Sequence, residues 1–225
     1  PRSTLFPYTT LFRSDALRRR LPEGAWPPVA EWLRAHPVQV RVVRARRTKL
    51  GDYRNTADGG LPRITVNGNL NPFAFLVTLV HEFAHHDTFL RARRAEPHGP
   101  EWRAAYQRLM RPYLSPAVLP ADVLAALHTH LRKAPASSCA DPQLMRALHR
   151  HDPAPGLLLE RLPERAVFRF NGAVYVKGPR LRKRFRCACL SNRRNYLMHP
   201  LIEVDAASPA RLDAAWANPS TLRHG

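Results

Sequence analysis

The spacing of apolar residues changes along this chain, and each change predicts a different kind of element. Between Pro27 and Ala35, Trp32 and Leu33 fall on one side of a short helix. Val38-Gln39-Val40-Arg41-Val42-Val43 then alternates like a strand, and Arg63-Ile64-Thr65-Val66 does the same beyond a turn at Asp58-Gly59-Gly60. The run from Phe73 to Val80 is nearly all apolar, as in a helix buried on most sides. Asn71 stands where an N-cap belongs and Pro72 at the first helical position, and Pro97 stops the helix soon after Arg94. A second helix is expected from Pro100 to Met110. Two more begin at Pro120 and Asp141, with leucines at helical spacing.

From Ala166 the pattern turns to β. Val167-Phe168-Arg169-Phe170, the turn Asn171-Gly172 and Ala173-Val174-Tyr175-Val176 predict a hairpin. Leu181 to Leu190 and Tyr196 to Val204 predict further strands, for an antiparallel sheet of about four strands. Beyond Asp205 the chain is Ala-rich and weakly patterned, as a flexible tail would be. The fold class expected from this order is α+β.

The long helix carries Leu79-Val80-His81-Glu82-Phe83-Ala84-His85-His86, which contains H-E-x-x-H. On a helix His81 and His85 project from one face, where two imidazoles can share one Zn²⁺. Glu82 then lies beside the water such an ion holds. A structural zinc site would be closed by four protein ligands, whereas a hydrolytic one keeps a position for water and lets the glutamate take its proton. In a chain with 11 histidines the pentapeptide alone is not decisive. Its place in the middle of a capped, apolar helix is what strengthens it.

A third ligand must come from elsewhere. His98, in Pro97-His98-Gly99-Pro100-Glu101-Trp102, follows a turn after the motif helix and precedes the next helix. An antiparallel return could bring it beside the other two; taken alone it is equally a turn residue near a helix start. His86 points about 100° away from His85 and suits a place facing the core or behind the ligands. His128, His130, His149 and His151 form pairs at i, i+2, whose members face apart on a helix, so they are expected at the surface.

Together with Thr48-Lys49-Leu50-Gly51 and Ile64-Thr65-Val66-Asn67, the H-E-x-x-H helix and the later His-Gly-x-x-Trp resemble the SprT-like zinc metalloproteases, which include Spartan-type proteases that degrade proteins crosslinked to DNA. The resemblance is close over about Val38 to Arg111 and looser to Val204. It implies a compact gluzincin-like core, a short sheet packed on the active-site helix, over residues 15–152. It also implies one zinc ion on His81, His85 and His98, with Glu82 as general base. Residues 153–204 would form a small basic antiparallel β module and 205–225 a flexible tail. Thr4 to Ser14 reads as a translated sequencing-library adapter, so residues 1–14 are expected to lie outside the fold.

One departure from the family concerns its C-terminal zinc ribbon. The chain has three cysteines, Cys139, Cys187 and Cys189, and Cys187-Ala188-Cys189 lacks the C-x-x-C spacing. A ribbon-like β shape without a second zinc is expected. So few cysteines make no disulfide framework, which fits a reducing cytoplasm, and no stretch reaches the ~18 apolar residues of a membrane span.

The formal charge is +19, from 36 basic and 17 acidic residues. Lys177, Arg180, Arg182, Lys183, Arg184, Arg186, Arg193 and Arg194 cluster in the C-terminal module with no acidic residue among them. Such a surface suits phosphate-backbone binding, with Tyr175, Phe185 or Tyr196 available to stack bases unless they are sheet core. The function expected is a monomeric zinc metalloendopeptidase acting on proteins bound or crosslinked to DNA, in the cytoplasm and at the nucleoid. The alternatives are a general cytosolic metallopeptidase indifferent to DNA, and a non-catalytic nucleic-acid-binding factor that keeps the fold as scaffold.

Overall fold

The computed structural model describes residues 15–46, 49–55, 60–133 and 141–207. They fall into two compact units that divide between Pro153 and Ala154. The adapter-like residues 1–14, most of the turn expected at Asp58–Gly60 and the tail from residue 208 lie outside the described residues. The architecture is mixed α+β.

The first unit is organised around one helix. In chain order it contains α1 (Trp26–Ala35), β1 (Gln39–Val43), β2 (Gly51–Arg54), β3 (Arg63–Asn67), α2 (Pro72–Arg91), α3 (Pro100–Met110), α4 (Ala121–Lys133) and α5 (Pro142–His149). Helix α2 starts as its sequence predicts: the Asn71 side chain accepts the N–H groups of Phe73 and Ala74 at 3.1 and 2.9 Å, and Pro72 opens the first turn. The same side chain donates to Leu148 O and Asp152 Oδ1, so one residue caps α2 and ties it to the end of α5. Of the 20 residues of α2, 14 are buried, which explains its apolar run without a membrane. Among the described residues no helix is long and apolar enough to cross one.

Helix α2 ends at Arg91, short of the expected Arg94. Ala92 N–H closes its last turn on Thr88 O at 2.7 Å, and the chain turns at once toward His98. Buried Asp87 receives Arg91 from its own helix at 3.1 Å and Arg108 from α3 at 2.5 Å, bracing the two helices against each other.

The sheet of this unit has the order β1-β3-β2, with β1 parallel and β2 antiparallel to the central β3. Buried Ile64 and Val66 of β3 join the apolar residues of α2 in the core, and Trp32 of α1 stacks on Phe83 at 3.7 Å between ring centroids. Strand β2 was not foreseen. Gly51-Asp52-Tyr53-Arg54 has no apolar alternation, because as an edge strand it turns only part of its surface to the core.

The second unit is a six-stranded antiparallel sheet of order β4-β9-β5-β6-β7-β8, larger than the four strands expected. Its strands are β4 (Leu157–Leu158), β5 (Val167–Phe170), β6 (Ala173–Leu181), β7 (Arg184–Cys189), β8 (Asn195–Met198) and β9 (Glu203–Ala206). The Asn171-Gly172 turn has φ of 53° and 80°, the left-handed pair that matches hairpin twist. The single strand expected over Tyr196–Val204 is two, separated at His199-Pro200, and β9 returns to pair with β5 and β4. Residues 205 and 206 therefore belong to the sheet and not to a tail. Cys187 and Cys189 are free and buried on the same face of β7 as Phe185, packed with Phe168, Tyr175 and Met198. No group of potential metal ligands among the described residues includes them.

Candidate functional site

The structure brings His81, His85 and His98 together. One helical turn sets the Nε2 atoms of His81 and His85 3.2 Å apart, and His98 Nε2 lies 3.2 Å from the first and 3.1 Å from the second. Zinc–imidazole bonds of 2.0–2.1 Å require about 3.3–3.4 Å between ligand nitrogens in a tetrahedral site, so the triangle fits such an ion within a few tenths of an ångström. A proton on one Nε2 serves one neighbour at a time, whereas a cation serves all three nitrogens. The three residues form a group able to hold a metal ion.

His98 reaches this position by a backbone conformation not foreseen from the sequence. Its φ is +62°, left-handed for a residue with a side chain. The bend is held on both sides: Gly99 N–H donates to Glu96 O at 2.9 Å, and Arg103 Nε donates to His98 O at 3.2 Å. A Cβ on Gly99 would come to 3.0 Å from Glu96 O, so the chain can pass here only as glycine without shifting.

Trp102 forms the floor of the triad. Its ring centroid lies 4.6, 5.4 and 4.7 Å from those of His81, His85 and His98, and Tyr106 stacks beneath it at 5.0 Å. Tyr106 is 2% exposed and packs behind the ligands. The next layer is His130, whose Nδ1 is 3.1 Å from Asp141 Oδ2. His130 is 1% exposed, which corrects the expectation of a surface histidine. The i, i+2 comparison with exposed His128 could not reveal its partner, Asp141, which also caps α5. His86 faces the core, edge-on to Trp32 and 3.2 Å from the Tyr53 hydroxyl.

Burial holds the His81 imidazole far below the usual histidine range, with His85, His98 and His130 adding to the effect. Burial likewise lowers His85 to about 4 and depresses His98. All three rings are neutral at pH 7 and present lone pairs, as a metal requires.

Glu82 is 5% exposed. Burial, and then the Asp52 carboxylate, pushes it up to about 8, against the pull of Arg46 and Lys49 and a hydrogen bond from the Tyr53 N–H. Strand β2 thus holds the glutamate from above. Gly51 leaves it room, since a Cβ there would collide with Glu82 Oε1 and lie 2.8 Å from Thr78 Cγ2. The segment leading into β2 is fixed by Asn67, buried at the end of β3. Its Nδ2 donates to Arg46 O and Lys49 O at 3.1 and 3.0 Å, and its Oδ1 accepts Arg46 Nε at 2.9 Å. A lone Asn ending a strand gives no sequence signal for that role.

The basic residues of the second unit divide. Arg180, Arg182, Lys183, Arg184, Arg193 and Arg194 are exposed and Arg186 is half-buried. Lys177 is a correction: it is 4% exposed, its ammonium donates to Glu160 O and Leu162 O and lies 4.0 Å from the Phe185 ring centroid, and it is not on the surface. Tyr175 and Phe185 are sheet core, and of the three aromatics only Tyr196, at 38% exposure, is at the surface.

Among curated proteins and solved structures nothing matches the chain. Residues 36–123, which contain the three histidines, Glu82 and Gly51, match the model of the SprT-like family. The segment that builds this site is thus similar to the SprT-like family, a family of zinc-metalloprotease type.

Proposed function

We propose that this protein is a zinc-dependent endopeptidase whose substrates are proteins held on DNA. The observation that carries the catalytic part is the convergence of three neutral imidazole nitrogens beside a buried carboxylate on the same helix. His81, His85 and His98 would hold one zinc ion, leaving a position for water and substrate. Bound there, zinc polarises the scissile carbonyl and makes water more acidic.

The work of Glu82 is proton transfer. It takes a proton from the attacking water and delivers one to the leaving amine. Without metal, burial pushes this carboxyl up to about 8; a dication held by the histidines would draw it back toward the ionised form that takes the water's proton. The Tyr53 N–H orients it. Among the described residues strand β2 has β3 as its one strand neighbour, and an extended peptide laid along β2 would bring a carbonyl past Glu82.

The DNA part rests on the exposed cations of the second unit. Phosphate contacts there would concentrate the protease where its substrates sit, so selectivity comes from co-localisation and not from a side-chain pocket. The test is the cleavage rate of a DNA-binding protein with and without its DNA. Faster cleavage of the DNA-bound substrate is expected. Equal rates would leave a general metallopeptidase, and no cleavage by folded, zinc-loaded protein would leave a binding scaffold.

A further inference from the structure

Six of the exposed cations of the second unit sit at opposite ends of β7; Arg161, Arg165 and Arg169 lie elsewhere in it. Arg180, Arg182, Lys183 and Arg184 surround the β6–β7 turn, while Arg193 and Arg194 lie in the β7–β8 turn. A six-residue strand at about 3.3 Å per residue separates the two turns by roughly 15–20 Å. They are two candidate contacts, and the structure distinguishes them.

At the β6–β7 end, the Leu181–Arg184 pair and the two turn residues extend past the pairing of β7 with β8, which reaches Phe185–Met198. The register slips between Lys177 and Arg180, so β6 carries an extra residue at Gly178-Pro179. A Cβ on Gly178 would collide with Arg186 O, so the two strands approach at the bulge more closely than another residue allows. Beyond it, Pro179, Arg180, Leu181, Arg182, Lys183 and Arg184 are all exposed. Four of these six are cationic, and no Asp or Glu occurs anywhere from Arg165 to Ile202. Among the described residues none of the four is in an ion pair; Arg180 lies over the Phe185 ring at 5.9 Å and Arg184 Nη1 is 3.4 Å from Leu197 O. Arg182 has φ of +47°, a conformation that Asn or Gly would adopt at lower cost.

We infer that the β6–β7 hairpin tip is the DNA-contacting element of this protein and enters the major groove of a B-form duplex. The inference rests on the proposal that the second unit holds DNA, and it says where and in what form. A two-stranded ribbon is what the groove, about 12 Å wide, admits. Cations on both strands and at the turn face both phosphate walls. The deep, narrow major groove of an RNA duplex excludes such a ribbon. Single strands are bound by stacking on aromatic rings, and the exposed tip has none: Phe185 is 9% exposed and faces the core.

The test is titration of a fluorescent 20-base-pair DNA duplex with the full chain, across a salt series. Variants are the charge-reversal pair Arg182→Glu/Lys183→Glu, the neutral set Arg180→Ala/Arg182→Ala/Lys183→Ala/Arg184→Ala, and Arg193→Ala/Arg194→Ala. The far-ultraviolet circular dichroism of each is compared with wild type; the charge-reversal pair changes only the two turn residues and keeps the test open if the larger set misfolds. Removing four phosphate contacts should weaken binding by at least about tenfold and flatten the slope of log K against log salt by about 3.6. The Arg193/Arg194 variant should stay within about threefold of wild type. If wild type binds DNA and the tip variants bind equally well, the hairpin assignment is wrong while DNA binding stands. If the single strand competes as well as the duplex, groove entry is wrong. If wild type binds neither form, both inferences fall.

Discussion

Gly51 on β2 and Glu82 on α2 meet without a side chain between them: a Cβ at position 51 would occupy the space of the Glu82 carboxylate. Gly51→Ala must therefore push the base aside or lift the strand that orients it. Overpacking of this kind costs about 1–3 kcal/mol of stability. Peptidase activity should fall about 100-fold or more through misplacement of Glu82. The histidines are untouched, so zinc affinity measured by competition with a chromophoric chelator should stay within about threefold of wild type.

Arg103 and His98 form the second relationship with a measurable consequence. The guanidinium holds the carbonyl of a residue at φ +62°. Arg103→Ala leaves all three ligands in place but frees the bend, and zinc affinity should drop about tenfold. Arg103→Lys should not restore it, because the hydrogen bond uses Nε of a planar group. The same chelator titration reads both variants.

In the metal-free protein, Glu82 and the histidines pull the pH dependence of stability in opposite directions. Glu82 has a folded value of about 8 against an ordinary 4.5, so the folded state holds the extra proton between those values and loses stability as pH rises through that window. His85 has a folded value of about 4 against 6.5, and His81 and His98 are shifted the same way. The unfolded state then takes up protons first, and stability is lost as pH falls below 6.5. Urea unfolding of metal-free protein should show both limbs, and Glu82→Gln should remove the loss toward pH 8 while keeping the loss on acidification.

Lys177 is predicted to matter for folding and not for DNA. Its ammonium is bonded to two carbonyls and lies over Phe185. Lys177→Ala leaves those carbonyls without their donor, at about 1–3 kcal/mol. The unfolding midpoint in urea should drop, and duplex affinity of the folded variant should not change.

Much of the first unit can be read from its sequence because single residues there have single jobs. Asn71 and Pro72 start α2, its apolar run buries it, and the i, i+4 histidines need nothing more than a helix to share a face. What escaped reading depends on partners remote in sequence. Strand β2 is defined by pairing with β3 and by the carboxylate beneath it, and its own residues carry no alternation. His130 is buried by Tyr106 and Asp141, and the left-handed His98 is held by Arg103. In the second unit, alternation along β6 puts Lys177 on the inward face with Tyr175, so its core position is legible in the sequence.

The central claim is that Glu82 does chemistry at a metal held by the three histidines. The most direct test is cleavage of a protein substrate by wild type and by Glu82→Gln, with zinc content measured on the same samples. One zinc per chain in both, with cleavage by wild type and a loss of at least about 100-fold in the variant, is expected for a lost general base. Equal cleavage by the zinc-loaded variant would contradict the role given to Glu82, and His98→Ala protein that keeps its zinc would contradict the triad.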